Sequence, residues 1–232
     1  MLSGEQKKLI TNSINGFYII NLPHRADRMS NIIREASKIN YNNVYTRIEG
    51  IRFPNLHYIS GRAGCSAAHI KAVTIAYENG LDNVLVLEDD CFFEDSRLRS
   101  VYYAVKNLNT INWDICHFGA RIKSKMSDFS PNLYRIHNFG CGHAIFYNRK
   151  VMKYLINLCP PWDSGYDEWM RWISVNECYD VWLPIILGHN ADFYCFHTKE
   201  LVAFQVPNFS DINQKDADGI AILEEEFNKY KP

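Results

Sequence analysis

Three carboxylates in a row, Glu88-Asp89-Asp90, follow directly on the apolar run Val84-Leu85-Val86-Leu87. Adjacent acids repel one another unless a cation or hydrogen-bond donors hold them. Side chains alternate along a strand, so Glu88 and Asp90 point to one side and Asp89 to the other. The pair Glu88/Asp90 is therefore a candidate divalent metal site, and its oxygen ligands suit Mn²⁺ or Mg²⁺. A second acidic group, Asp163 with Asp167 and Glu168, sits among Trp162, Tyr166 and Trp169. Asp167 and Glu168 open a helical pattern, where an acid either caps the helix or stays ionised with an oxygen to spare. The three aromatic residues could stack on a sugar ring or simply pack in the core.

The run before Glu88 reads as a central strand of a sheet covered on both faces. Ligands gather at the carboxyl ends of such strands. A first buried strand is expected over 16–22 and is ended by Pro23. Helical spacing follows over 24–39, through Met29, Ile32, Ile33 and Ala36, and a short strand over 43–48. After a loop with Gly50, Pro54 and Gly61, residues 64–79 read as a helix. Cys65, Ala68, His69, Ala72, Ile75 and Ala76 share its apolar face, and Gly80 is its C-cap. On that face His69 is expected to be a core histidine bonded to backbone. Ser96 is placed to cap a helix over 97–108. Residues 113–118 read as a strand, 124–131 as a mobile polar loop, and 133–136 and 143–147 as strands around a glycine turn. Helices are expected at 149–158 and 167–175, separated by Pro160-Pro161. Short strands are expected at 179–183, 193–196 and 201–206, then an amphipathic helix at 217–230. The alternation implies an α/β fold in one domain, 1–232, whose mixed, largely parallel sheet lies between helices.

Composition narrows the function. The 232 residues are 47% hydrophobic, enough for one sizeable core. With 25 basic and 26 acidic residues and a net charge of -1, no basic stripe favours nucleic acid as a partner. Glu224-Glu225-Glu226 reads as one solvated helix face. The seven cysteines form no Cys-x-x-Cys pair, which speaks against a zinc or redox motif and for free buried thiols in a reducing compartment. No apolar stretch is long enough for a transmembrane segment, and residues 1–15 lack a signal-peptide core. These features point to a cytoplasmic protein, with peripheral attachment to a membrane left open.

Several motifs together resemble glycosyltransferase family 25, which includes lipooligosaccharide and collagen galactosyltransferases. They are Tyr18-Ile19-Ile20-Asn21-Leu22 with Arg25 and Asp27-Arg28, Gly64-Cys65-Ser66-Ala67-Ala68-His69, Val86-Leu87-Glu88-Asp89-Asp90, the segment Gly140-Cys141-Gly142-His143-Ala144-Ile145-Phe146-Tyr147, Gln205, and Ser210-Asp211-Ile212. The resemblance runs from about Phe17 to Ile212, and Ala68 departs from the family's serine. It implies a GT-A type nucleotide-diphospho-sugar transferase fold, with a donor-binding half over about 16–120 and an acceptor and catalytic half over about 121–232. It also implies a UDP-sugar donor, a divalent metal (Mn²⁺ or Mg²⁺), and inverting transfer of galactose or glucose. The acceptor would be a hydroxyl of a glycan, a lipid-linked glycan or a collagen-like protein.

On that resemblance Asp90 is the direct metal ligand, and Glu88 a contact to ribose, a water or the metal. Asn21 and Leu22 offer backbone to a uracil edge, beside Asp89. Arg28 reaches the diphosphate, whereas Arg25 reads as an exposed first-turn charge. Gly140 and Gly142 let backbone approach a sugar, or form an ordinary turn. His143 lines the same pocket or is a satisfied strand-start histidine. Asp167 is the expected base, with Glu168 beside it and Asp163 in reserve. A late histidine, His197 or alternatively His189, completes the metal set or has no ligand role. Two rivals remain: a scaffold that binds the nucleotide sugar without turning it over, and a nucleotidyltransferase. For the second, Pro23-His24-Arg25 is a poor match to a glycine-rich triphosphate loop.

Overall fold

Apolar runs of strand length alternate with helical patterns, and in the computed structural model they assemble around one eight-stranded sheet. The structure describes residues 1–42, 44–54, 58–206, 208–210, 215–217 and 220–232. Helix α1 (Gly4–Ser13) begins with a capping box: Ser3 Oγ accepts from Gln6 N, and the Gln6 side chain accepts from Ser3 N. Strand β1 (Gly16–Asn21), helix α2 (Ala26–Lys38) and strand β2 (Thr46–Glu49) follow. Residue 43, where β2 was expected to begin, lies outside the described residues. Helix α3 (Tyr58–Glu78) starts before the expected Gly64, and Gly80 at φ +75° turns the chain into β3 (Asn83–Glu88).

Beyond the acids come β4 (Cys91–Phe93), a 3₁₀ turn at Asp95–Arg97 and α4 (Leu98–Leu108). Ser96 does not cap that helix; its N–H is instead bound by the Glu94 side chain at the start of the turn. Then come β5 (Ile115–His117), β6 (Arg121–Ile122), β7 (Ser127–Asp128), β8 (Leu133–Arg135), β9 (Phe139–Gly140) and β10 (Ala144–Asn148). The expected mobile loop thus contains an edge strand, tied down by buried Met126 and a Lys199–Asp128 ion pair.

Helices α5 (Arg149–Leu158) and α6 (Tyr166–Asn176) precede α7 (Tyr179–Leu183). Residues 179–183 were expected to form a strand. Tyr179, Trp182 and Leu183 are buried at helical spacing instead, and Val181 and Trp182 donate to the Cys178 carbonyl. A π-helical turn (Pro184–Gly188), β11 (Cys195–Thr198), β12 (Ala203–Gln205), β13 (Asn208–Ser210), β14 (Lys215–Ala217) and α8 (Ile220–Lys229) complete the chain. Asp211 and Ile212 lie outside the described residues, as do 218 and 219 at the expected start of α8.

The sheet runs β2-β1-β3-β10-β5-β11-β8-β7. Ladder directions make β2, β1, β3, β5, β11 and β7 run one way and β10 and β8 the other. Alternate residues feed two cores. Tyr18, Val84, Val86, Ile145 and Tyr147 face α3, α5 and α6, whereas Phe17, Ile19, Leu85, Leu87 and Phe146 face α1, α2 and α4. The result is the expected mixed α/β architecture, with helices on both faces of a largely parallel sheet. Both expected halves contribute strands to it.

From β1 the chain crosses to β2 on one side and then to β3 on the other. Strand order reverses at β1/β3, the position at which ligands bind in open α/β sheets. Asn21 and Glu88 end those two strands.

Candidate functional site

The acids split as strand alternation requires. Asp89 turns toward α2, where Arg28 Nη1 donates to its Oδ1 at 3.0 Å and Asn21 Nδ2 to its Oδ2 at 2.7 Å. Glu88 Oε2 and Asp90 Oδ1 face the other way, toward one amide nitrogen, Gln205 Nε2, at 3.3 and 3.4 Å. Gln205 arrives on β12, which pairs with β4 just beyond the acids.

Charge compensation here is partial. Arg28 is 7% exposed and also lies 3.6 Å from Asp90 Oδ2. Burial raises the Asp89 carboxyl above its ordinary range, although Asn21 and Arg28 work against the rise. Asp90 is pushed up to about 7 by burial and by the charges of Glu88 and Asp89. Burial also acts to raise Glu88, but the hydrogen bond and charge of His69, helped by His143 and Cys65, bring it below the ordinary carboxylate range. Near neutrality Glu88 stays ionised and Asp90 is protonated part of the time. A divalent cation between Glu88 Oε2 and Asp90 Oδ1 would remove the reason for that proton.

Glu88 Oε1 has a separate set of neighbours. His69 Nε2 stands 3.1 Å away and Cys65 Sγ 3.6 Å away. His69 Nδ1 meets Tyr147 Oη at 3.2 Å, and that hydroxyl meets Tyr179 Oη at 2.5 Å. His69 is thus bonded to side chains rather than to backbone as expected, because Cys65 and His69 share the helix face aimed at the end of β3. Gly142 closes over the group: a Cβ on it would lie 2.9 Å from His69 Nε2 and 3.1 Å from Glu88 Oε1. The residue before it, Cys141, sits at φ +68°, an uncommon left-handed conformation for a non-glycine.

The other expected residues scatter. The Asn21 and Leu22 carbonyls already accept from Gly50 N and Arg25 N. Arg25, expected as an exposed first-turn charge, is instead partly buried at the N-cap of α2 and pairs with Asp27, and its hydrogen bond helps bring Asp27 down to about 2. Arg28, expected to reach out to a diphosphate, is turned inward to Asp89. Gly140 lies in β9, paired with Arg121. His143 is buried against the Ala203 carbonyl, 3.1 Å from its Nε2.

His197 does not fit the metal set. Its Nε2 accepts from Ala120 N, its Nδ1 lies 2.6 Å from Thr198 O, and burial brings it down to about 4. His189 is exposed at the end of the π-helical turn. Asp163, Asp167 and Glu168 are all exposed, and among the described residues no hydrogen bond or ion pair joins them to the acidic cluster. Gly165, not an acid, stands at the N-cap of α6. Trp169 is fully buried, whereas Trp162 carries Lys71 over its ring at 4.8 Å and Tyr166 meets Phe53 edge-on.

Cys65, His69, Tyr147 and Tyr179 were not foreseen as site residues. The four-residue spacing of Cys65 and His69 was the available signal. Tyr147 and Tyr179 are brought in by packing across the sheet.

No family model matches the chain, and no curated protein matches it. Among solved structures, A197 from STIV is similar at 11% identity over 86% of this chain and 91% of that one, with a TM-score of 0.44. Mannose-1-phosphate geranyltransferase from Thermus thermophilus is similar at 10% identity over 80% of this chain and 73% of that one, with a TM-score of 0.39. Both likenesses are distant. Among the described residues no helix is long and apolar enough to cross a membrane.

Proposed function

We propose that this protein is a metal-dependent glycosyltransferase of the GT-A type, similar to family 25. It transfers galactose or glucose from a UDP-sugar, with inversion, to a hydroxyl of a glycan, lipid-linked glycan or collagen-like acceptor. One observation carries the reading: Glu88 ends a strand at the point where strand order reverses, Asp90 stands in the turn that follows, and both turn a carboxylate to a single donor. Asp90 and Glu88 Oε2 would hold Mn²⁺ or Mg²⁺, which neutralises charge on a departing diphosphate. The partly compensated acids fit such a cation. Arg28 and Asn21 act on Asp89, fixing the turn that aims Glu88 and Asp90. Asp167, in the first turn of α6, remains the proposed base, with Glu168 and Asp163 behind it.

Calorimetric titration with UDP in Mn²⁺ and then in chelator tests the site, followed by UDP release from a panel of UDP-sugars. Metal-dependent binding lost in Asp90→Ala is the expected result. Binding indifferent to both metal and Asp90 would sink the reading. The exposure of all three candidate bases favours a second reading, nucleotide-sugar binding without transfer. UDP binding with no turnover of any donor, given acceptors of each class, selects it.

A further inference from the structure

We propose that Cys65, His69 and Glu88 form a second, softer metal site that takes Zn²⁺, beside the oxygen-ligand pair and distinct from it. The three ligand atoms lie within 4.8 Å of one another. Tetrahedral zinc with bonds of about 2.3 Å to sulfur and about 2.0–2.1 Å to nitrogen and oxygen sets a nitrogen–oxygen edge of about 3.3 Å and a sulfur–oxygen edge of about 3.5 Å. The edges found are 3.1 Å for His69 Nε2 to Glu88 Oε1 and 3.6 Å for Cys65 Sγ to Glu88 Oε1. The third edge, Cys65 Sγ to His69 Nε2, lies within 4.8 Å, so binding needs at most a closing of these two side chains toward the sulfur–nitrogen edge of about 3.5 Å.

Three further features fit a metal better than a chance cluster. Cys65 and His69 project from one rigid helix face and Glu88 from a strand end, so the ligands sit on ordered elements. His69 uses its other nitrogen on Tyr147 Oη, which Tyr179 Oη fixes in turn. Metal-binding histidines are oriented by such a bond. Gly142 lacks the one side-chain atom that would fill the space against His69 Nε2 and Glu88 Oε1. Thiolate, imidazole and carboxylate together select zinc over Mn²⁺ or Mg²⁺. Binding exchanges the Cys65 thiol proton for the metal, and water takes the fourth position. Glu88 serves both sites without conflict, because Oε1 faces Cys65 and His69 while Oε2 faces Gln205. The set was hidden in the sequence because zinc was sought there as paired thiols.

The test uses Co²⁺ as a spectroscopic probe on the whole, reduced, metal-stripped protein, with Zn²⁺ as competitor. The expected result is one cobalt per chain, a sulfur-to-cobalt charge-transfer band, and displacement by zinc. Cys65→Ser should abolish the band and Asp90→Ala should leave it. Tyr147→Phe should weaken affinity about 10–100-fold. Should Cys65→Ser fail to fold, alkylation of the unaltered protein mapped by mass spectrometry gives an independent reading, in which zinc should slow modification of Cys65. A folded protein without the band, a band that survives Cys65→Ser, a band lost in Asp90→Ala, or alkylation of Cys65 indifferent to zinc each overturns the proposal. UDP titration with Mn²⁺ reads the other site. Loss of the cobalt signal with UDP binding kept rejects the zinc site alone, and the reverse rejects the transferase reading alone.

Discussion

At the scale of single residues, Asp90 is a buried carboxyl whose charge Arg28 and Gln205 only partly offset. Its carboxyl titrates at about 7, raised by burial and by Glu88 and Asp89. An unfolded aspartate titrates near ~3.9. A folded value raised in this way contributes stability that is present in full below about 4 and is lost as pH climbs through about 7. The metal-free protein should therefore lose stability as pH rises from about 4 to about 7 and lose little more above that. Asp90→Asn should remove much of that loss and raise the melting temperature at pH 8. An Asp90→Asn melting curve that tracks the unaltered protein at every pH would show that this carboxyl is not strained. The acids were legible because strand and charge meet in a single run. The turning of Arg28 inward was not, since a sequence shows a cation in the first turn after a strand but not the buried Asp89 that claims it.

At the scale of elements, α3 organises the site. It carries Cys65 and His69 toward β3 and also holds α7 through Ser66, whose Oγ accepts from Tyr179 N at 2.9 Å and donates to Arg62 O. Ser66→Ala would leave a buried backbone donor without its partner, at a cost of about 1–3 kcal/mol. A urea midpoint that falls accordingly is expected, together with weaker protection of the 179–183 amides from exchange. An unchanged midpoint would mean that α7 is held by its aromatic packing alone.

Helix α5 and the strands around Val84 and Phe146 were readable at once, because their periodicities are strong. α7 was misread because five residues are too few to separate periods of two and 3.6. The start of α3 was missed because Gly61 signals a loop locally, so the helix was begun at Gly64. In the fold Gly64 is wanted for close packing: a Cβ there would lie 2.1 Å from the Ile51 carbonyl oxygen. The histidine roles were hidden for a related reason, since a ring on an apolar face looks the same whether its partner is a carbonyl or Glu88.

At the scale of the whole molecule, the sheet buries several uncharged histidines. His117 is 1% exposed and neither ring nitrogen has a hydrogen-bond partner among the described residues, and burial pulls it well below its ordinary range; burial also lowers His143, and takes His197 down to about 4. A depressed folded value contributes stability that is present above the unfolded value near ~6.5 and is lost as pH falls below it. The fold should accordingly weaken as pH drops from about 6.5 toward about 4. His117→Phe, set against the ring of Phe139 that His117 already meets at 4.7 Å, should flatten that acid limb. It should also add on the order of 1 kcal/mol at neutral pH by removing two unpaired nitrogens. Equal acid sensitivity in the two proteins would place the effect on other groups.

Strand β10 has a consequence for how the chain is made. It lies antiparallel between β3 and β5, yet it follows both in sequence, and β5 takes its other partner, β11, later still. When the first 120 residues have left the ribosome, β1, β2 and β3 can associate, but β5 has no neighbour and one edge of β3 stays open. Strand pairing of this kind is slow and leaves edges exposed. The acids at the end of β3 therefore stand beside an unfinished seam until residues 144–148 are synthesised and inserted. The two halves of this chain are successive stages of one sheet, and the half that carries the acids gains its second wall only when the nascent chain doubles back.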